Sequence, residues 1–471
     1  MSDKLSFNPY LPQNEYVPDG EPHIFDGRVY VYGSHDQFDG KSFCLLDYVT
    51  YSADINDLSD WRYEGVIFER KQDPDGKPDM LHAMYAPDVV QGNDGKYYLY
   101  YFLSYVGLIS VARSDTPGGK YEYIGHVKYK DGTPLGKKGE PLQFDPGVFK
   151  DDDGKIYMFT GFGPVHYPSF LMGGHKPTKE GPMGFILEDD MLTIAEGPTY
   201  LGIPSKASGK GTPYEGHEFF EASSLRKFDG KYYFIYSSFL GHELCYALSD
   251  NPLSGYSYGG ILVSNGDVGI HAKGIEDAKN YTGNTHGSLI KIKDDYYVFY
   301  HRQTNRHAFS RQACAERIEF KDGKFFQAEC TSCGFQKDNL LPGKGEYEAR
   351  IACQLYSDRP SYFSGVFKKA KGSRPYFTQK DEKQFIANFS NGSTCVFKYL
   401  DLRESKKIKV NIRGNAKGTL LVQDDEKILA SIEIGKGDLS AELEKVEKKK
   451  SPLLFTFQGK GHFDFLSFVL E

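Results

Sequence analysis

Four carboxylates and one imidazole recur at one place in a repeated pattern: Asp19 in PDGEPHIF, Asp88 in APDVVQG, Asp145 in DPGVFKD, Glu221 in EASSLRKF and His286 in HGSLIKI. Each stands 10 to 12 residues before an aromatic that marks the register of its repeat, Tyr30, Tyr98, Tyr157, Tyr233 and Tyr297. Gathering such groups in a partly desolvated place costs free energy unless acid–base chemistry or a bound cation offsets it. Taken singly, each has a plainer reading. Asp19 lies in a Pro-Asp-Gly turn, Asp88 and Asp145 could be Asx-turn residues, Glu221 competes with Glu215 and Glu218 in YEGHEFFEASS, and His286 could be a hydrogen-bonded structural histidine. Their common register favours the chemical reading, because independent turn residues have no reason to keep one distance from the same aromatic.

The elements that would position them follow from the repeat. Asp-Gly-basic-x-Tyr occurs as DGRVYVYGS from Asp26, DGKYYLYYFLS from Asp94, DGKIYMFTG from Asp153 and DGKYYFIYSS from Asp229, with a degenerate fifth copy, KDDYYVFYHR. Asp-Gly supplies the positive φ of tight hairpins, and the flanks are rich in strand formers. Five such units predict an all-β fold, a five-bladed β-propeller over residues 1–335, with the first strand of every blade lining the axis. The DGKFF near Asp322 reads as a terminal hairpin. Beyond it the repeat stops, and stretches such as KQFIANF, STCVFKYLDL, KIKVNIRG, GTLLVQ and KILASIEI predict a smaller β-sandwich over 345–471. The run ELEKVEKKK reads as a solvated loop or face.

Composition narrows the function. At 471 residues the chain has room for two folding units, and a net charge of -7 removes the electrostatic basis of nucleic-acid binding. No apolar run is long enough to span a membrane, and MSDKLSFNPYLPQ carries no apolar leader core, so no membrane partner and a cytoplasmic location are expected. Seven widely spread cysteines predict reduced, buried thiols, with Cys330 and Cys333 a packed pair rather than half of a metal site. Aromatics at 15% with a single Trp suit both strands and sugar-stacking surfaces.

The segments NPYLPQNEYVPDGEPHIFDGRVYVYGSHD, MYAPDVVQGNDGKYYLYY, FDPGVFKDDDGKIYMFTG, FFEASSLRKFDGKYYFIYSS and NTHGSLIKIKDDYYVFYHR resemble the blade motifs of glycoside hydrolase family 43. That resemblance, over about residues 8 to 335, implies a five-bladed propeller that hydrolyses glycosides with inversion, as a β-xylosidase, α-L-arabinofuranosidase or arabinanase. By position it implies Asp19 as general base, Asp145 as the carboxylate that tunes and orients the acid, and Glu221 as general acid. It places Asp88 and Tyr85 near the pocket, Arg311 of SRQACAERIEF against the sugar, and His286 at a hydrated calcium on the axis. The usual Glu-Gly-Pro is here Glu221-Ala222-Ser223, so Glu218 stays in competition as the acid. His271, in DVGIHAKGIEDAKNYTGN, has no place in the pattern. The closing SPLLFTFQGKGHFDFLSFVLE resembles the end of a family 6 carbohydrate-binding module, although no exposed Trp or Tyr pair is evident there and a purely structural sandwich is the competing expectation.

The expected activity is release of terminal arabinofuranose, with xylosidase side activity, from short xylan-derived oligosaccharides. Arabinanase activity is the nearest alternative. A non-catalytic sugar-binding propeller and a retaining, fructan-cleaving propeller enzyme are the rivals from other classes.

Overall fold

The structure is a computed structural model that describes residues 4–165, 173–358, 369–370, 372, 374–425, 427–435 and 437–471. Four four-stranded antiparallel sheets and one three-stranded sheet follow one another along the first 318 residues. Their first strands are Glu21–Phe25, Met84–Gln91, Gly147–Lys150, Phe219–Phe228 and Leu289–Ile292. These five neighbour one another in turn around a central axis, blade four meeting blade five through the Ser224 and Ser288 hydroxyls. Blade five gains its fourth edge from the chain start. Tyr10 N donates to Ala313 O, and the Asn8 side chain donates to Ala315 O and accepts from Ala315 N.

Second strands such as YYLYYFL (Tyr97–Leu103) are buried at every position. Tyr97, Leu99 and Tyr101 pack toward blade one, whereas Tyr98, Tyr100 and Phe102 pack toward blade three. A strand with a neighbour on both faces must be apolar throughout, which is why the repeat reads as an aromatic run rather than as an alternation. Each junction between consecutive blades holds such a cluster, and among the described residues the junction of blades five and one holds two. The hairpins turn where expected. In blades one and four both residues of Asp26-Gly27 and Asp229-Gly230 have positive φ, the geometry of a two-residue turn. The DGKFF hairpin pairs Phe320–Lys321 with Lys324–Phe325.

The second half is a sandwich of two sheets. One contains Ser393–Asp401, Ser451–Lys460, Lys417–Gln423 and Ile428–Ile434, the other Lys383–Ser390, His462–Leu470 and Lys407–Gly414. Phe389, Phe397, Phe455, Phe465 and Phe468 interlock between them, all fully buried. The sandwich touches the propeller along several segments, Gln354 Nε2 donating to Asp267 (2.6 Å) and Leu355 N to Lys279 O (2.7 Å) among them, and two further contacts matter here. At one, Glu329 accepts from Lys398 Nζ (2.9 Å) and Tyr399 Oη (2.9 Å) and pairs with His271 Nε2 (2.5 Å), which gives the otherwise unplaced His271 a partner at the domain junction. The other lies beside the mouth of the propeller. All seven cysteines are free and buried.

Candidate active site

Register explains how the site assembles. His23, Val90, Phe149, Arg226 and Ile290 pair with the five marker tyrosines. Two residues earlier along each strand come Glu21, Asp88, Gly147, Ser224 and Ser288, and two residues earlier again come Asp19, Ala86, Asp145, Ala222 and His286. The axis therefore carries two layers. Asp19, Asp145 and His286 lie in the upper one, at the mouth. Glu221 joins them through a bulge, since it pairs with Ser237 whereas Ser224 pairs with Ile235.

Asp88 does not share that layer. It stands ten residues before its marker tyrosine, whereas Asp145 stands twelve before its own on a hairpin of the same length, so Asp88 lies one layer deeper. There Asp88 is fully buried, with Oδ1 2.6 Å from His23 Nε2 and Oδ2 accepting from Val148 N (2.8 Å). It ties blades one and three together beneath the site. Tyr85, three residues nearer the mouth, packs its ring on Phe144 (5.4 Å) and Phe102 (6.1 Å), and its carbonyl accepts from Tyr48 Oη.

Local backbone aims the carboxylates. Asp19 and Asp145 have φ of 59° and 46°, a left-handed conformation that Asp tolerates and that turns each side chain out of the strand just before it begins. Ala222 has φ 67°, at the position where the resemblance has glycine, and directs its N–H to Asp145. An alanine held there is strained by about 1 kcal/mol, and the bulge it forms turns Glu221 into the mouth.

The two ends of the carboxylate group sit in opposite fields. Arg311 Nη1 lies 2.7 Å from Asp19 Oδ1, while its Nε and Nη2 grip Asp36 at 2.8 and 3.0 Å. Burial would raise the Asp19 carboxyl, but Arg311, helped by His301 and His286, outweighs it and holds Asp19 below the usual carboxylate range. Burial pushes Glu221 well above its usual range, and the neighbouring charge of Asp145 pushes it further. Asp145 is itself raised by burial, against the lowering effect of His286. His286 is buried between two acids, Nδ1 3.5 Å from Asp145 Oδ2 and Nε2 3.4 Å from Glu21 Oε1. Burial opposes its charge, yet these two partners raise it well above the ordinary histidine value. His301 behaves in the opposite way. Burial and Arg311 push it down to about 4, so it is neutral, donating from Nε2 to Asn284 O (2.8 Å) and accepting the Asp19 N–H at Nδ1 (3.4 Å). The mouth thus sets a carboxyl shifted toward its ionised form, Asp19, against one shifted toward its protonated form, Glu221. A pair of that kind can activate water and protonate a leaving group.

Glu218 lies elsewhere. It is buried with Oε1 3.0 Å from Lys206 Nζ and Oε2 accepting from Gly216 N (3.1 Å).

The sequence reading missed Glu21, Arg226 and Asp36. Glu21 Oε2 accepts from Arg226 Nη2 (2.6 Å) and Ser224 Oγ (2.9 Å), and Arg226 also reaches the carbonyls of Leu289 and Pro22. The available signal was a Glu placed at the head of an apolar strand two residues after Asp19. Asp36 carried none, because it comes from the loop between the second and third strands of blade one and meets Arg311 only in three dimensions.

Residues 23–325 match the sequence model of "Glycosyl hydrolases family 43". A "Xylosidase/arabinosidase" of Thermoclostridium stercorarium is 44% identical over 99% of both chains. Among solved structures, a family 43 beta-xylosidase/alpha-arabinofuranosidase from a compost microbial metagenome, described as complexed with xylotriose in a calcium-free form, is 27% identical with a TM-score of 0.53, covering 68% of this chain and 96% of its own. A Bacillus subtilis arabinoxylan arabinofuranohydrolase, solved with cellotetraose, has the same fold over 98% of this chain and 97% of its own, with a TM-score of 0.52 and 20% identity.

Proposed function

The chain belongs to glycosyl hydrolases family 43 and is a glycoside hydrolase, and from that premise we propose that it removes terminal arabinofuranose and xylose from xylan-derived oligosaccharides with inversion of configuration. One observation carries the assignment of roles: Asp19 is held ionised by Arg311, while Glu221 is held protonated by burial and by Asp145. Asp19 takes a proton from the attacking water, Glu221 gives one to the departing oxygen, and Asp145, fixed by His286 and the Ala222 N–H, keeps the acid protonated until it is used. Arg311 holds the base and meets the sugar from the same side. The rim rings Tyr85, Phe144, Phe162 and Phe220, in contact one after another, give the substrate an apolar wall.

The donor set around His286 suits a cation that takes the place of the ring proton, since a histidine must be neutral to face a metal and the acids beside it can balance either charge. Both ring nitrogens face carboxylate oxygens, and the nearby hydroxyls of Ser223 and Thr285 are buried with no hydrogen-bond partner among the described residues, ready to meet the water shell of a hard cation. We assign His286, with Glu21 and Asp145 around it, as the group that would hold a hydrated calcium. A cation there would supply positive charge beside Asp145.

The names of the relatives favour the double specificity over arabinanase activity. The test is hydrolysis of 4-nitrophenyl α-L-arabinofuranoside, 4-nitrophenyl β-D-xyloside and linear arabinan, with the first-formed anomer read by NMR. Turnover of both aryl glycosides with an inverted product supports the assignment. A retained anomer, or turnover confined to arabinan, overturns it.

A further inference from the structure

The mouth loops of blades one and five, residues 33–47 and 304–310, lock against each other. Asn305 Nδ2 donates to Asp39 Oδ1 (2.7 Å), Asp39 N donates to Ser310 Oγ (3.1 Å), and Phe43 meets Phe309 edge-on at 5.5 Å. The same two loops carry the ends of the ion pairs that hold the base: Asp36 belongs to the first, and Arg311 directly follows the second. The Arg311 guanidinium lies over the Phe43 ring at 5.0 Å.

This lock is made of left-handed backbone, which Asp39 and Asn305 tolerate and Arg306 adopts under strain. Asp39, Asn305 and Arg306 all have positive φ, 52°, 50° and 62°. An arginine keeps such a conformation only where the surroundings over-determine it. Here the surroundings are the sandwich. Asn305 N donates to Phe377 O (2.7 Å), Thr378 Oγ1 donates to Asn305 Oδ1 (3.1 Å), and Ala370 N donates to Arg306 O (2.5 Å). Lys369 Nζ completes the set, 2.6 Å from Asp39 Oδ1. On the other approach to the base, Tyr16, three residues before Asp19, donates to Gln379 Oε1 (2.8 Å) and accepts from Gln384 (3.0 Å).

We propose that the C-terminal sandwich is a positioning element of the active site: through Asn305 and Asp39 it holds the two mouth loops together, and through them it holds Arg311 on Asp19. The sandwich touches no reacting atom in this role. The inference rests on Asp19 as the base; Asp19→Asn, which must abolish turnover if that assignment is right, separates a failure of the assignment from a failure of the proposal.

The test uses the full chain. Asn305→Gly keeps the left-handed backbone and removes the side-chain bridge, Thr378→Val removes one hydroxyl, and Thr378→Ser retains it. On an aryl arabinofuranoside, kcat should fall about tenfold in Asn305→Gly and two- to fourfold in Thr378→Val, with KM changed less than kcat, and Thr378→Ser should match the parent. Tyr399→Phe, at a contact between the domains that does not involve the mouth loops, should lower the unfolding midpoint and leave kcat alone. A parental kcat in Asn305→Gly overturns the proposal, as does a fall in kcat that Tyr399→Phe reproduces. Should Asn305→Gly fail to fold, Thr378→Val against Thr378→Ser carries the same decision.

Discussion

Lys206 Nζ lies 3.0 Å from Glu218 Oε1, and the Gly216 N–H lies 3.1 Å from Oε2, so both carboxylate oxygens of Glu218 are already engaged. Of the two glutamates three residues apart on blade four, only Glu221 is then available as a proton donor. Glu221→Ala should lose about 10²- to 10⁴-fold on oligosaccharides, whose departing alkoxide needs a proton, and far less on an activated nitrophenyl glycoside. Glu218→Gln should show no such dependence on the leaving group. The reverse pattern in steady-state kinetics on the two substrate types would transfer the acid's role to Glu218.

The opposite fields at Asp19 and Glu221 give the pH profile a direction. Activity requires Glu221 protonated, so it is lost as pH rises through a value that burial and Asp145 have raised. Asp145→Asn removes the neighbouring charge, lowers that value, and should move the alkaline limb of kcat/KM on a disaccharide to lower pH by about one unit or more. Activity also requires Asp19 ionised, and Arg311 holds its titration low. Arg311→Met should therefore move the acid limb upward. An alkaline limb that does not move in Asp145→Asn would remove Asp145 from its tuning role.

A cation at His286 should be visible without any turnover. A ligand that binds only the folded state at a hundred times its dissociation constant adds about 2.7 kcal/mol to stability. After dialysis against a chelator, added calcium should raise the thermal midpoint of the parent and leave that of His286→Ala unchanged. Equal parental midpoints with and without millimolar calcium would return His286 to a purely protein-bound role between Asp145 and Glu21.

At the domain junction, burial works against the charge of Glu329, yet the hydrogen bond from His271 and the charge of Lys398 hold its carboxyl down to about 2. A depressed carboxylate contributes stability that is complete above its unfolded value of roughly 4.3 and disappears as pH falls through its folded value. Glu329→Gln should cost on the order of 2 kcal/mol at pH 7. The gap to the parent should close between about pH 4.5 and pH 2. Denaturant titrations across that range would show it, and a gap independent of pH would mean that packing rather than charge is lost.

Residue types and local turns made the blades legible. The Asp-Gly hairpins and the aromatic second strands mark five sheets, and the strand-like stretches after residue 380 become strands of the sandwich. The layering of the axis was less accessible. Counting back a fixed number of residues found Asp19, Asp145 and His286, and it reached Glu221 because a short turn and a bulge compensate each other. It misplaced Asp88, which stands only ten residues before its marker on a hairpin as long as that of blade three, two residues short of the position Asp145 holds. Glu21 went unread because one marked residue per strand describes a single layer. The contacts of Arg311 with Asp36, and of Asn305 with Phe377, join segments separated by many residues of chain. No local pattern announces such pairs, since they come into being only when the ring closes and the sandwich docks.

The edge that completes blade five has a consequence for how the molecule is made. Asn8 leaves the ribosome some three hundred residues ahead of its partners, Ala315, Glu316 and Thr331, which are among the last of the propeller to be synthesised. Until they emerge, the propeller is an open arc of sheets with two unsealed ends, and the Asn8 segment must wait through some three hundred additions before it finds its place. Joining parts so distant in sequence is slow compared with forming a hairpin, so the arc spends its synthesis as a client for chaperones. A ribosome-arrested chain ending before Thr331 should accordingly remain open to protease at blade one, whereas one that exposes the full edge should resist.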